Sequence, residues 1–170
     1  MARRRVVITG LGAVTVLGSS VQQFWEGLQE GRSGVRRITQ FDASGLACQI
    51  AGEIPDFNVE DYMEKKAARR MARSAQIALA AATQALQDAG MPGEVPEPER
   101  TGVMFGTAIG GLERAGDGIV QLRTSGSDRL NPFIVPSGIP NLSAYIISKQ
   151  FQALGPNATI ATACATGTQA

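Results

Sequence analysis

The chemistry in this sequence gathers in Ala158-Thr-Ile-Ala-Thr-Ala-Cys164-Ala-Thr-Gly167. A short apolar run leads into a cysteine flanked by Ala163 and Ala165, with Gly167 close behind. Small residues around one nucleophile are what a sharp strand-to-helix turn demands, because the turn is crowded and a substrate must reach its backbone. A cysteine thiolate is the nucleophilic form, and N–H groups at a helix start can receive the oxyanion of a thioester under attack. The competing reading is a buried, inert cysteine at a strand end. Cys48, after Ala47, has neither a helix start nor a partner nearby and reads as structural.

Two other patterns could carry chemistry. Lys66, Arg69, Arg70 and Arg73 recur at i, i+3, i+4 and i+7, which puts them on one face of a helix. Such a face is either simply solvated or a docking patch for an acidic protein. Gly10-Leu11-Gly12 follows an apolar run, as in a dinucleotide-binding loop. There the third glycine would fall at Thr15, and no acidic residue closes a second strand about 20 positions on. The glycines are therefore expected to serve close packing at the end of a strand.

The elements that must position these residues follow from periodicity and punctuation. Val6-Val7-Ile8, after Arg3 to Arg5, reads as a buried strand entering a glycine turn. Ser19 or Ser20 caps a helix over Val21–Glu30 with Phe24, Trp25 and Leu28 on one face, and Gly31 stops it. Residues 32–46 read as loop, and Ala47–Ile54 as a weak strand ended by Pro55. Asn58 caps a turn through Val59–Tyr62. From Lys66 to Ala89 the pattern is helical and so rich in alanine that little polar face remains. That predicts a central helix packed on several sides and approached closely. Gly90 and Pro92 end it. Thr101–Thr107 is a second buried strand, followed by a looser helix to about Leu122 and a polar loop, TSGSDRLNP. Ser137–Leu154 is expected to be helical despite Pro140, and Ala158–Thr162 to be a third short strand. Strands alternating with helices argue for an α/β protein with a mainly parallel sheet.

Composition narrows the function classes. Sixteen basic and 15 acidic residues leave a formal charge of +1, unlike a nucleic-acid binder or an acidic disordered chain. No apolar run reaches the roughly 18 to 20 residues of a membrane helix, and the apolar run behind the N-terminal arginines is too short for a signal peptide. With His at 0 and Cys at 2, these 170 residues hold neither a Cys/His zinc site nor a Ser-His or Cys-His pair. Free thiols in a reducing cytoplasm are the expectation.

Taken together, RRVVITGLGAVTVLG, GRSGVRRITQFDASG, DFN, GTAIGGLE, NPFIVPSGIPN and ATACATG resemble, in order, the β-ketoacyl-acyl carrier protein synthases, condensing enzymes of thiolase fold. The resemblance spans essentially the whole chain. The IGGLE and PFIVPS blocks are closer to the type II elongating enzymes than to type I. The resemblance implies an α/β thiolase-like fold, layered α/β/α/β/α in the complete enzyme. Residues 1–170 would cover most of its N-terminal half and end just after the nucleophile turn.

By matching position, Cys164 is implied to be the acyl-accepting nucleophile. Ile109 would narrow the acyl pocket, and Ile134 would line the pocket of a neighbouring subunit across a homodimer interface. Lys66, Arg69, Arg70 and, less directly, Arg129 match positions that contact the carrier. The partners would be acyl- and malonyl-loaded acyl carrier protein. The implied reaction is a decarboxylative Claisen condensation in fatty acid elongation, whose chemistry needs neither metal nor organic cofactor. A polyketide-type ketosynthase and a non-catalytic partner subunit share much of this pattern; retention of Cys164 argues against the latter. The family's two histidines have no counterpart here. Residues 1–170 alone are therefore expected to be poorly packed and to complete no condensation.

Overall fold

The computed structural model describes residues 5–54 and 56–170. Arg3, Arg4 and the strand-ending Pro55 lie outside the described residues. In chain order the elements are α1 (Val21–Gln29), β1 (Val35–Arg37), β2 (Ile50–Gly52), α2 (Lys65–Ala68), α3 (Arg73–Asp88), β3 (Val103–Gly106), α4 (Leu112–Ser125), α5 (Ile134–Gly138), α6 (Leu142–Phe151), β4 (Asn157–Ile160) and α7 (Thr166–Gln169). Short 3-10 turns at Val59–Asp61, Pro98–Arg100, Ser127–Arg129 and Ala163–Ala165 join them.

The centre is α3. From Ser74 to Leu86 no residue is exposed, as its alanine-rich sequence predicts. Leu79 and Ala75 form a buried cluster with Val95, Ile146, Phe151 and Ala153, so the core lies between α3 and α6. On its other side α3 receives the opening segment, backbone against backbone. A Cβ at Gly12 would stand 1.9 Å from the Ala81 carbonyl oxygen, and one at Gly10 2.1 Å from that of Ala85. The Leu11 N–H donates to Asp88 Oδ2 at 2.9 Å and the Ala13 N–H to Gln84 Oε1 at 3.0 Å. The Gln84 amide nitrogen donates in turn to the Ser19 carbonyl at 2.7 Å. Glycines and alanines are thus what lets a loop lie this close to a helix.

Several expectations need correction. Val6–Ile8 belongs to no ladder among the described residues, and these residues are 93%, 61% and 83% exposed. A β-branched run specifies extended backbone, whereas burial needs a neighbouring strand, and none lies beside it among the described residues. The helix predicted from Lys66 to Ala89 breaks at residues 69–72, where Ala72 is extended (φ −67°, ψ 153°). No Pro or Gly marks the break; its loose ends are held by distant side chains. Gln76 Nε2 donates to the Ala68 carbonyl (2.9 Å), Arg114 to the Arg69 carbonyl (2.8 Å), and the Arg73 N–H to Glu113 Oε1 (2.9 Å).

The helix predicted over Ser137–Leu154 is two helices. Pro140 lacks the N–H that would continue it, and Ile139 before it is extended (ψ 144°). Residues 32–46 contain β1, which pairs antiparallel with β2 in the register Val35↔Gly52 and Arg37↔Ile50, inside the longer span predicted for the second strand. Helix α1 is capped as expected, with the Ser20 hydroxyl accepting the Gln23 N–H at 3.2 Å. Its inward residue, however, is Gly27, packed on Leu17, while Trp25 and Leu28 remain exposed.

Strands β3 and β4 pair in parallel, Val103 with Asn157 through Gly106 with Ile160. The crossover between them contains α4, α5 and α6, and α6 packs on both strands. Among the described residues the sheets are thus one parallel and one antiparallel pair, and the α/β class expected from the alternation of elements holds.

Two outcomes follow. Gly12→Ala should destabilise the full-length protein by at least about 2 kcal/mol, because a Cβ there overlaps backbone that cannot turn away. Gly93→Ala, where a Cβ meets nothing within 4 Å, should stay within about 0.5 kcal/mol; denaturant melts of both variants decide it. Glu53 accepts the Thr39 hydroxyl at 2.7 Å and the Thr39 and Gln40 N–H groups, and the Thr39 hydroxyl bond holds its carboxyl below the ordinary value. Folding lowers this pKa, so its contribution is present above the ordinary glutamate range and lost as pH falls through the folded value. An NMR titration should place the Glu53 midpoint below that of glutamate in a short peptide; an equal or higher midpoint would refute the assignment.

Candidate functional site

The register of β3 and β4 decides where the site lies. Gly106 is opposite Ile160, so both strands release their chains at the same edge. Loops at the carboxyl ends of parallel strands are where α/β proteins place their chemistry. Here those loops are residues 107–111 and 161–165.

After β4 the chain turns sharply. Ala163 has φ +50°, a conformation that costs a non-glycine residue about 1 kcal/mol or more. Cys164 follows in the 3-10 turn Ala163–Ala165, and α7 begins at Thr166. The Cys164 thiol is free and exposed. It stands on the turn before the helix, so the strand-turn-helix display expected from the small flanking residues is present.

The turn is tied across itself and to its neighbour. Thr166 Oγ1 accepts the Thr162 N–H at 2.8 Å, and Thr162 Oγ1 donates to Gln169 Oε1 at 2.8 Å. Thr166 Oγ1 also donates to the Thr107 carbonyl at 3.4 Å. Thr107 Oγ1 in turn accepts the Gly110 N–H at 3.1 Å. Gly106 must lack a side chain, since a Cβ there would lie 2.3 Å from Thr166 Cγ2. None of these threonines stood out in the sequence. The available signal was the i, i+4 spacing of Thr162 and Thr166 around the cysteine.

Ile109 lies in the 107–111 loop and is 58% exposed. Its neighbour Gly110 has φ +71° and lies against Pro140, where a Cβ would stand 2.7 Å from the proline Cα. Ile134 is set apart from these strand ends. It opens α5, packs on Gly118 of α4, and lines an apolar groove of about 390 Å³ with Ile119, Leu122 and Leu130.

The basic residues do not share one helix face, because the break at 69–72 separates them. Arg73 is exposed but lays its guanidinium 4.5 Å from the Phe57 ring centre, and partial desolvation holds its pKa below the ordinary value. Arg70 lies 4.4 Å from the ring centre of Phe133, which joins it to the segment that carries Arg129. Lys66, Arg69, Arg70 and Arg129 are exposed, and among the described residues none of them is ion-paired. Cys48 is exposed, its Sγ donating to the Ile50 carbonyl at 3.5 Å. Among the described residues no cluster of His, Cys, Asp and Glu is close enough to hold a metal ion, and no helix is long and apolar enough to cross a membrane.

Comparison with known proteins agrees with this geometry. The chain is 40% identical over 170 residues to the 3-oxoacyl-(acyl-carrier-protein) synthase 2 of Synechocystis sp. (strain ATCC 27184 / PCC 6803 / Kazusa), covering 100% of this chain and 41% of that protein. It is 41% identical over 165 residues to the protein of that name from Staphylococcus aureus (strain COL), covering 97% and 40%. Among solved structures, the ishigamide ketosynthase/chain length factor superposes with a TM-score of 0.83 at 30% identity, over 95% of this chain and 40% of that one. The chain thus spans about 40% of the length of the relatives it matches. The fold is the α/β, thiolase-like fold of the ketosynthases. Residues 3–170 match the family profile described as "Beta-ketoacyl synthase, N-terminal domain", and the chain belongs to that family.

Proposed function

We propose that the protein is a β-ketoacyl-acyl carrier protein synthase of fatty acid elongation and that Cys164 is its nucleophile. The observation that carries this reading is the exposed Cys164 thiol on a positive-φ turn at the carboxyl end of a parallel strand pair, in a chain of this family. The names of the 40% identical relatives support the same substrate class. The Cys164 thiolate attacks the carbonyl carbon of an acyl-carrier thioester; a sulfur–carbon bond forms and the carrier thiol leaves. Malonyl-carrier then loses CO₂, and the electron pair of the broken carbon–carbon bond becomes a carbanion. That carbanion attacks acyl-Cys164, the new carbon–carbon bond forms, and the thiolate leaves as 3-oxoacyl-carrier departs. A carbanion and an oxyanion must both be stabilised in this sequence, so further polar groups outside residues 1–170 belong to the proposal.

The remaining roles follow from the same reading. Ile109, exposed beside the nucleophile's strand edge, narrows the acyl pocket. Ile134 lines the pocket of the second subunit in a homodimer, to which the apolar groove beside it is suited. Lys66, Arg69, Arg70 and Arg129 are exposed cations available to an acidic carrier protein in the cytoplasm. One observation favours a second reading: the ishigamide ketosynthase/chain length factor is a close structural match, which fits a polyketide-type ketosynthase with the same acylation step.

Both cysteines are exposed, so exposure alone would not separate them. In the full-length protein, acyl-carrier should load Cys164 and leave Cys48 unmodified, and Cys164→Ala should abolish loading. Peptide mapping by mass spectrometry reads this directly. An acyl group on Cys48, or full loading of Cys164→Ala, would overturn the assignment.

Reversing Arg69 and Arg70 to Glu should slow acylation by carrier-bound substrate about tenfold and flatten its salt dependence. Rim charges act mainly on encounter rate and are screened beyond about 10 Å at 0.1 M salt. Loading from a small thioester without the carrier should change by less than about twofold. An equal loss with both donors would mean that the pair supports folding and not docking.

A further inference from the structure

Thr166 is buried, although its hydroxyl is polar and it sits two residues beyond the exposed Cys164. Its bonds explain why. The hydroxyl oxygen accepts the Thr162 N–H at 2.8 Å, which closes a bridge across the turn with Cys164 at the midpoint. The two threonine hydroxyls are 3.3 Å apart, and Thr162 directs its proton to Gln169 Oε1 at 2.8 Å. That leaves the Thr166 proton for the Thr107 carbonyl at 3.4 Å. Thr107 holds the neighbouring turn on both sides: its N–H donates to the Ile160 carbonyl at 3.0 Å and its hydroxyl accepts the Gly110 N–H at 3.1 Å. A continuous run of hydrogen bonds therefore joins the cysteine turn to the loop that presents Ile109.

We infer that Thr166 is a positioning residue, whose hydroxyl fixes the Cys164 turn against the Thr107 turn and so sets where the thiol stands relative to the acyl-binding side. The inference rests on the reading that Cys164 accepts the acyl group. Ala163 at φ +50° makes such a clamp necessary, because strained turns persist only where their surroundings over-determine them. The side chain has a second, separable duty. Its methyl group fills the space that Gly106 leaves, at 2.3 Å from where a Cβ would be. Thr166→Val keeps that methyl and deletes the hydroxyl, whereas Thr166→Ser keeps the hydroxyl and deletes the methyl.

The test uses the full-length protein and two reagents of different geometric demand. Transfer from acyl-carrier to Cys164 needs the thiol aligned on a held carbonyl, and misplacement by about 1 Å costs up to about a hundredfold. Alkylation by iodoacetamide needs only access. Thr166→Val should lose tenfold to a hundredfold in acylation while its iodoacetamide rate changes less than about twofold. Thr166→Ser should acylate within about threefold of the parent even if it melts lower. Thermal melts of both variants report the packing duty separately. Unchanged acylation in Thr166→Val would overturn the inference, as would equal losses toward both reagents or a serine variant as slow as the valine one. If the parent protein is alkylated but never acylated on Cys164, the functional reading itself fails, and the inference with it.

Discussion

Parallel pairing of β3 with β4 is the constraint around which the rest of the chain is arranged. Two parallel neighbours cannot be joined by a hairpin; the chain must cross back over the sheet before the second strand can start. Here the crossover is α4, α5 and α6, and α6 lies on both strands. Its other face meets α3 at Leu79, Ile146 and Phe151, so the return path and the core are the same structure. The pairing also brings both strand ends to one edge, Gly106 beside Ile160. Only there can the Thr107 turn and the Cys164 turn exchange hydrogen bonds. A register slip of one residue would reverse which side chains face α6 and would part those turns.

The close approaches in the fold come from missing side chains. Gly10 and Gly12 let the opening loop rest on the backbone of α3, and Gly106 lets Thr166 lean over the end of β3. Alanine serves the same end just past α3, where the Ala89 Cβ already stands 3.0 Å from where a Cβ at Gly10 would be. Closeness of this kind contributes dispersion and satisfies backbone groups through Asp88 and Gln84, but it leaves little tolerance for substitution. High glycine content and an alanine-rich helix thus belong to one packing solution.

What could be read from the sequence follows the range of the forces involved. Ser20 and Asn58 as caps, the strand cores at 103–106 and 157–160 and the turn around Cys164 are local features, and local chemistry announced them. The break at 69–72 was invisible because its reasons are remote: Gln76, Glu113 and Arg114 supply the partners that an unbroken helix would have found within itself. Strand β1, three residues with two arginines, carries no alternation to detect. Val6–Ile8 looked buried because its residue types suit a sheet interior, yet burial is a property of neighbours and not of a segment. Pro140 is visible in the sequence, and its missing N–H outweighs the helical pattern on either side. At the site, Cys164 was legible from its small neighbours, while the threonine clamp was not. Threonine is common in strands and turns, and only the fold shows which hydroxyls meet.

The same break changes the electrostatics of the surface. On an unbroken helix Lys66, Arg69, Arg70 and Arg73 would form one row of cations, each raising the cost of the next. In the folded chain Arg73 is laid over Phe57 and Arg70 over Phe133, so two of the four charges are anchored on aromatic faces. Arg114 completes the arrangement. It reaches the Arg69 carbonyl at 2.8 Å with one nitrogen and the Ser137 hydroxyl at 3.2 Å with another. The 69–72 turn, α4 and the α5 helix that carries Ile134 therefore form a mechanically joined unit. Arg114 thus ties the turn that carries the exposed Arg69 to the helix beside the apolar groove. In the proposed function those are the carrier side and the subunit side of the acyl pocket. Their connection through the half-buried Arg114 makes the position of the basic patch depend on tertiary packing, where a continuous helix would have made it depend on local sequence alone.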